Sequence, residues 1–161
     1  MEITLLSSDS IKLRGKHASL AVNPTVKATY NAVLILGAID GTKLKVEKET
    51  VIVAGPGDYE IGGIKISAIK GGDSVVYSIA IDGVDILLGG EACLQKLQSK
   101  VKDHHIVIIQ TDGSTDLSFI ATFSPRVVLF YGAAAKEHTQ KVAKEGMKQQ
   151  DKFSVTLDKL P

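Results

Sequence analysis

Apolar and polar residues alternate in short runs along the first half of the chain, and Gly, Asp and Asn separate the runs. β-Branched residues are frequent in these runs, which is typical of strands with one buried face. The pattern predicts strands near Ile3–Leu6, Ile11–Arg14, Ala18–Val22, Ala32–Leu36, Leu44–Glu47 and Val51–Ala54. We expect the last two, with Lys48 and Glu49 between them, to form a hairpin.

The stretch GPGDYEIGGIKISAI, Gly55–Ile69, places glycines on both sides of an acidic, aromatic turn and ends in an alternating strand. Because no helix follows this turn, it cannot direct helix amides at a phosphate group. We interpret the stretch as a scaffold turn that leads into a core strand. Strands are then predicted at Val75–Ile81 and Val84–Leu88, and the Asp82-Gly83 pair between them favours a two-residue hairpin.

The period of the apolar residues changes after Gly90. Cys93, Leu94, Leu97 and Val101 fall on one helical face, which predicts a helix over Glu91–Lys102. The rest of the chain predicts, in order, a buried strand at Ile106–Ile109, a short helix at Asp116–Phe123 started by Ser114 or Thr115, a buried strand at Val127–Tyr131, a mostly polar helix at Ala133–Gln150 and a strand at Phe153–Leu157.

Hairpins followed by strand–helix–strand units predict an α/β (α+β) sandwich, in which two mixed sheets pack together with helices outside. We expect the 161 residues to form a single domain, 1–161, that buries a core without disulfides. The single cysteine, Cys93, has no internal partner with which to form a disulfide.

The charge balance bears on the partners of the protein. Nineteen basic residues face 18 acidic ones, and aromatic residues make up only 5% of the chain. A basic groove and stacking platforms are therefore both lacking, so we do not expect nucleic-acid binding. The sequence contains neither a signal-peptide pattern at Met1–Thr4 nor an apolar run near the ~20 residues that span a bilayer. We therefore expect a cytoplasmic protein without a membrane partner.

The order of several motifs resembles one known family. The chain contains Asn23-Pro24, then Pro56-Gly57-Asp58-Tyr59-Glu60, then Thr115-Asp116 and Ser124-Pro125-Arg126-Val127-Val128. Together with the strands around Asp82-Gly83, this order resembles the metallo-β-lactamase-fold hydrolases, in particular the compact branch related to sugar-lactone lactonases. The resemblance implies an αββα sandwich, reduced in size, whose strand ends carry two metal ions.

The resemblance also implies that histidines hold zinc ions, which activate a bridging water. The loop expected to carry the His-x-His-x-Asp-His motif reads Leu36–Gly41 here and contains no histidine. The other ligand positions are also occupied by different residues. The vacated positions are Asp40, Lys70, Asp73, Gly90, Glu91 and Tyr131. The resemblance thus implies a member that lacks its zinc ligands, with no catalytic residue, metal site or cofactor.

The four histidines do not restore a ligand pair, because none belongs to a His-x-His sequence. His104 and His105 are adjacent at a strand start, where neighbouring side chains point to opposite faces. We predict that these two and His138 are exposed to solvent and that His17 is a hairpin-turn residue. Cys93 is expected to be a small buried apolar residue rather than a nucleophile.

Two functional hypotheses follow. The first is a non-catalytic protein that acts by binding a protein partner or by self-association, for example as a homo-oligomer. The alternative is a metal-dependent hydrolase of lactones or phosphodiesters, in which Asp40, Asp73 or Glu91 holds one hard cation. A packed strand-end region would favour the first hypothesis, and converging carboxylates would favour the second.

Overall fold

The computed structural model describes residues 1–39, 41–101, 103–113, 116–142 and 148–161. Its strands, in chain order, are β1 (Glu2–Ser7), β2 (Ser10–Arg14), β3 (Ser19–Val22), β4 (Ala32–Leu34), β5 (Val51–Val53), β6 (Gly57–Ile61), β7 (Ile64–Lys70), β8 (Val75–Ile81), β9 (Val84–Gly90), β10 (Ile106–Thr111), β11 (Val127–Gly132) and β12 (Lys152–Ser154). Two α-helices, α1 (Glu91–Leu97) and α2 (Ala135–Val142), and three 3-10 helices, Gly41–Lys43, Ser118–Phe123 and Leu157–Lys159, complete these elements.

The strands form two six-stranded sheets, which confirms the predicted sandwich. Sheet A has the order β12-β1-β2-β3-β4-β5, and sheet B has the order β11-β10-β9-β8-β7-β6. Pairing is antiparallel among β12, β1, β2 and β3 and among β6 to β9, whereas β3, β4 and β5 are parallel, as are β9, β10 and β11. Both sheets are therefore mixed. No helix in the described residues is long and apolar enough to cross a membrane.

The predicted hairpin between Leu44–Glu47 and Val51–Ala54 is wrong. Residues 44–47 form no strand, and β5 pairs in parallel with β4. Val46 instead packs against a small apolar cluster on the outer face of sheet A that contains Tyr30 and Val33. Residues 44–47 are therefore a loop that covers this face of sheet A through the Val46 side chain.

The hairpin at Asp82-Gly83 is confirmed. Both turn residues have positive φ, 52° and 80°, as a two-residue hairpin turn of this kind requires. The Asp82 carboxylate also accepts a hydrogen bond from the Lys16 amide at 3.1 Å and lies 3.4 Å from the N-terminal ammonium group. The Asp82 side chain in this turn of sheet B therefore contacts the N-terminus and the β2–β3 connection of sheet A.

The stretch Gly55–Ile69 forms the β6–β7 hairpin, which supports its interpretation as scaffold. Its acidic and aromatic residues, Asp58 to Glu60, lie within β6 and not in a turn. The chain reverses at Gly62 and Gly63, both at positive φ. A Cβ atom at Gly62 would lie 2.5 Å from the Cβ of Ala18, so the close approach of β6–β7 to sheet A requires glycine there.

The helices are shorter than the sequence predicts. Helix α1 ends at Leu97, and Lys102 lies outside the described residues. The predicted helix Asp116–Phe123 is a 3-10 helix over Ser118–Phe123, and its proposed first residues, Ser114 and Thr115, also lie outside the described part. In the last predicted helix, α2 covers residues 135–142, residues 148–150 are not helical, and residues 143–147 are not described.

Alternating side chains of both sheets fill one interior between them. The Tyr77 side chain, from β8, crosses this interior, and its hydroxyl lies 2.6 Å from the Ile35 carbonyl oxygen and 3.0 Å from that of Val53. Burial raises the pKa of Tyr77 well above its ordinary value, so the hydroxyl stays a neutral donor. A second apolar cluster lies outside sheet B, beneath α1 and the 3-10 helix Ser118–Phe123.

We predict that Tyr77→Phe lowers the free energy of unfolding by about 1–3 kcal/mol. The reason is that the Ile35 carbonyl loses this donor, whereas the Val53 carbonyl keeps the Ile35 amide at 2.9 Å. Urea unfolding at neutral pH measures the change. Tyr59→Phe is the control, since its half-buried hydroxyl donates at 3.2 Å to Gly55 within one segment. Equal losses for the two variants would contradict a special role for Tyr77.

Candidate functional site

The carboxyl ends of several strands meet at one edge of the sandwich. Strands β7, β9, β10 and β11 run in the same direction in sheet B, so their last residues lie along one side. The end of β4 in sheet A meets the same side, because the Gly37 amide donates a hydrogen bond of 2.9 Å to Ser74 Oγ. We call the segments 35–39, 70–74, 90–91, 111–113 and 131–132 the strand-end edge. The five vacated ligand positions that the structure describes fall within these segments: Lys70, Asp73, Gly90, Glu91 and Tyr131.

A buried acid–base pair occupies this edge. Glu91, the first residue of α1, and His138, from α2, are each only 1% exposed, and Glu91 Oε1 lies 3.1 Å from His138 Nε2. Glu91 Oε2 accepts a hydrogen bond of 3.3 Å from the Asp112 amide. The His138 ring stacks on Phe130 with a centroid distance of 6.1 Å. The Glu91 carboxylate thus connects the end of β9, the end of β10 and helix α2.

The prediction that His138 is exposed is wrong. The surrounding helix is polar, but His138 lies on the side of α2 that faces β11. A buried carboxylate requires a partner, and the imidazole of His138 supplies one from a distant part of the chain. Glu91 was the available signal in the sequence. An acidic residue directly after an apolar strand is either exposed or paired with another residue, so a distant partner for Glu91 could have been expected.

The adjacent histidines lie at the opposite end of sheet B, before β10 begins. The predicted exposure of His104 is wrong, since it is only 8% exposed and its Nε2 lies 2.8 Å from Ser78 Oγ. His105 is half-buried, and its Nδ1 accepts a hydrogen bond of 2.9 Å from the Asp85 amide. His17 lies in the connection of the β2–β3 hairpin, as predicted, and is exposed. Neither His104 nor His105 contributes to the strand-end edge.

The remaining predicted positions do not converge on one point. Lys70 and Asp73 are exposed and line an open cleft of about 250 Å³ between segments 35–37, 54–56 and 70–75. Gly90 is half-buried and brings no side chain to the edge. Asp40 lies outside the described residues.

Tyr131 faces the interior between the sheets and is 4% exposed. Its hydroxyl has no hydrogen-bond partner among the described residues. Burial is the main cause that raises the pKa of Tyr131, and the negative charge of Asp9 raises it further. The phenol therefore stays neutral, which makes it a weak ligand for a cation.

Sequence reasoning missed the role of Asn23. This residue is buried, has φ of 48°, and its side chain holds Leu36 by two hydrogen bonds, from Nδ2 to the Leu36 carbonyl at 2.8 Å and from the Leu36 amide to Oδ1 at 2.9 Å. Asn tolerates this backbone conformation better than most residues, so the Asn23-Pro24 pair was the available signal. The contacts fix the segment after β4 against the end of β3.

The described residues do not fit a zinc site at this edge. No three His, Cys, Asp or Glu side chains among them are close enough to hold one ion. Two pairs of polar groups at the edge lie against each other, Glu91 with His138 and the Ser74 hydroxyl with the Gly37 amide. Lys70 adds a cation that has no lone pair to offer to a metal at neutral pH.

Cys93 lies on α1 beside this edge. It is half-buried, so the prediction of a buried residue holds only in part. A Cβ atom at Gly71 would lie 3.0 Å from the Cβ of Cys93, which shows how closely α1 packs against the β7–β8 connection. Burial raises the pKa of the Cys93 thiol, which disfavours the nucleophilic thiolate.

Two solved structures share this fold. A Thermotoga maritima protein assigned to the Zn-dependent hydrolases of the metallo-β-lactamase superfamily is 12% identical, with 96% of this chain and 92% of that chain covered and a TM-score of 0.73. A Parabacteroides distasonis ATCC 8503 protein assigned as a metal-dependent hydrolase is 15% identical, with 88% of each chain covered and a TM-score of 0.67. No protein-family model and no curated protein matches the sequence. At these identities the likeness establishes a metallo-β-lactamase-like fold, and function must be argued from the site.

We predict that His138→Ala lowers the free energy of unfolding by about 3–5 kcal/mol, because it leaves the Glu91 carboxylate buried without its basic partner. Chemical denaturation at neutral pH measures the loss. The matched control is Glu137→Ala in the same helix, whose 2.6 Å ion pair with Lys141 is solvent-exposed. We expect this control to change the unfolding midpoint very little.

Combining His138→Ala with Glu91→Gln tests the coupling of the pair directly. The double variant is expected to lose less stability than the sum of the two single losses, since the second change removes the isolated charge. Additive losses, or a loss for Glu137→Ala as large as that for His138→Ala, would contradict the assigned role of the pair.

We predict that Cys93 reacts with iodoacetamide more slowly in the folded protein than in urea at pH 8, because burial raises the pKa of the thiol. The rate in the folded protein should continue to rise at pH values where the rate in urea has levelled off. Cys93 is the one cysteine of the chain, so mass spectrometry follows its alkylation without ambiguity. Identical pH profiles in the two states would refute this interpretation.

Proposed function

We propose that this chain is a non-catalytic protein built on the metallo-β-lactamase-like sandwich and acts by protein binding, with a second copy of itself as the partner. The observation that carries the proposal is the pairing of Glu91 with His138 across the strand-end edge. A carboxylate and an imidazole are the side chains a metal hydrolase would direct at an ion. In this protein the two side chains lie against each other, with 3.1 Å between His138 Nε2 and Glu91 Oε1.

The charges at the edge support the same function. A metal centre of this kind requires several neutral or anionic ligands around the ion and an open position for water. Lys70 stands at one of the vacated positions, Gly90 offers no side chain, and the Tyr131 phenol is kept neutral by burial. A cation at this edge would therefore find few donors.

Contacts between protein groups can stabilise the strand-end edge without a metal ion. Hydrogen bonds from Gly37 to Ser74 and between Asn23 and Leu36 fix the segments after β3, β4 and β7. The Glu91 carboxylate fixes the ends of β9 and β10 and helix α2. Protein groups thus connect strand ends that metal ions would otherwise connect.

The alternative function is a hydrolase with a reduced metal site. One observation favours it, because His138 Nδ1 is buried and has no hydrogen-bond partner among the described residues. In that case Glu91 and His138 would both be ligands of one cation. This alternative predicts that the folded protein gains stability from a divalent cation.

Metal analysis separates the two functions. We predict that untagged protein purified without chelator contains far less than one equivalent of Zn, Mn, Fe or Mg by elemental mass spectrometry. Adding each cation should leave Tm unchanged. A cation at ~100 times its Kd would add about 2.7 kcal/mol of stability, which for a domain of this size raises Tm by roughly 5–10 °C.

The control for this experiment is the variant pair Glu91→Gln and Glu137→Ala. If a cation raises Tm in the wild type and in Glu137→Ala but not in Glu91→Gln, the non-catalytic proposal is wrong. Lactone and phosphodiester hydrolysis would then be assayed with the metal-loaded protein.

A further inference from the structure

Strand β11 stands out among the strands that border the two sheets. It is the last strand of sheet B in the described part of the chain and reads Val-Val-Leu-Phe-Tyr-Gly, without charge or proline. Its first four residues, Val127 to Phe130, are all half-buried. An apolar, six-residue border strand that pairs on one side only, among the described strands, is a template for pairing with another strand.

The other border strands are protected or short. Strand β6 carries Asp58 and Glu60, and β12 carries Lys152, which is paired with Glu2. Strand β5 is only three residues long. Charged residues at a sheet border oppose pairing with an identical strand, because like charges are brought together. Of the border strands described, β11 has the greatest length without such protection.

The backbone direction of each β11 residue follows from its pairing. The Val127 amide donates to the His105 carbonyl at 3.2 Å, and the Tyr131 carbonyl accepts from Thr111 Oγ1 at 3.0 Å, so the odd-numbered residues direct their backbone groups toward β10. Because backbone groups alternate along a strand, those of Val128 and Phe130 point away from β10. These are the groups available to a further strand.

We propose that β11 pairs antiparallel with β11 of a second copy, which joins the two B sheets across a twofold axis. This inference gives the proposed self-association a surface. With the axis at Leu129, Val128 of each copy lies opposite Phe130 of the other, and each such pair exchanges its two backbone hydrogen bonds. A second copy is a suitable partner strand, because this register places the β-branched Val128 opposite the aromatic Phe130 and brings no two charges together.

The same register places Arg126, which is exposed, opposite Gly132 of the second copy. On the inner face, Val127 lies opposite Tyr131 of the second copy and Leu129 opposite its equivalent. Every cross-strand pair from Val127 to Tyr131 is therefore apolar or aromatic, and the half-exposed apolar surface of β11 is covered by its own copy.

Sedimentation equilibrium tests the proposal over protein concentrations from about 1 μM to about 1 mM, the range of weak and transient contacts. The wild type should change from a 17.1 kDa species to one of twice that mass as the concentration rises. Val128→Pro removes a border-facing amide while leaving the amides that bond to β10, so this variant should stay a monomer at all concentrations.

Ile52→Pro is the matched control. Ile52 lies in β5, at the border of sheet A. The Val51 amide donates to the Asn31 carbonyl, so the Ile52 amide points away from β4. This variant makes the same chemical change at another border and should dimerise like the wild type. A wild type that stays monomeric to about 1 mM, or a Val128→Pro variant that still dimerises, would overturn the proposal.

Hydrogen exchange of the wild type decides the question even if Val128→Pro fails to fold. The amides of Val128 and Phe130 should gain protection as the protein concentration rises, whereas those of Val127 and Leu129 should be protected throughout. Exchange at Val128 and Phe130 that does not depend on concentration would overturn the proposal. The metal analysis above is independent of this test. Bound metal with an intact dimer refutes the non-catalytic function alone. A metal-free monomer refutes the β11 pairing and the choice of a second copy as the partner, but not the non-catalytic function.

Discussion

The Tyr77 hydroxyl fixes how the two sheets face each other at the end where the strand-end edge lies. It reaches from the middle of sheet B to the carbonyl of Ile35, directly after β4, and to that of Val53, the last residue of β5. A buried donor that meets carbonyls of the opposite sheet allows little sliding between the sheets, since a lost bond would leave polar groups unsatisfied in an apolar interior. The segment after β4 is thereby placed beside Ser74.

From this anchor, polar contacts extend along the whole edge. Asn23 holds Leu36, Ser74 holds Gly37, and Glu91 holds both Asp112 and His138. A buried pair of polar groups contributes little net stability compared with well-packed apolar residues, but losing one partner is costly. The pair therefore determines where α2 lies more than it raises the stability of the fold.

The hairpin at Asp82-Gly83, which depends on local sequence, was predicted correctly, whereas several contacts between distant segments were missed. Asp82-Gly83 determines its hairpin because the turn conformation and the alternating strands are encoded within a few residues. The parallel pairing of β5 was missed, since Lys48 and Glu49 resemble a hairpin turn and nothing local specifies β4 as the partner. His104 and His138 were expected in solvent because their partners, Ser78 and Glu91, are distant in the chain.

The nitrogen resonances of the His138 ring test the central claim, that the polar groups of the strand-end edge bind each other and not a metal. Long-range 1H–15N NMR of the protein, recorded before and after one equivalent of Zn²⁺, reports directly on Nδ1 and Nε2. The account predicts that zinc leaves the resonances of both ring nitrogens unchanged. A zinc-induced shift of either ring nitrogen at stoichiometric metal would contradict it and would identify His138 as a metal ligand.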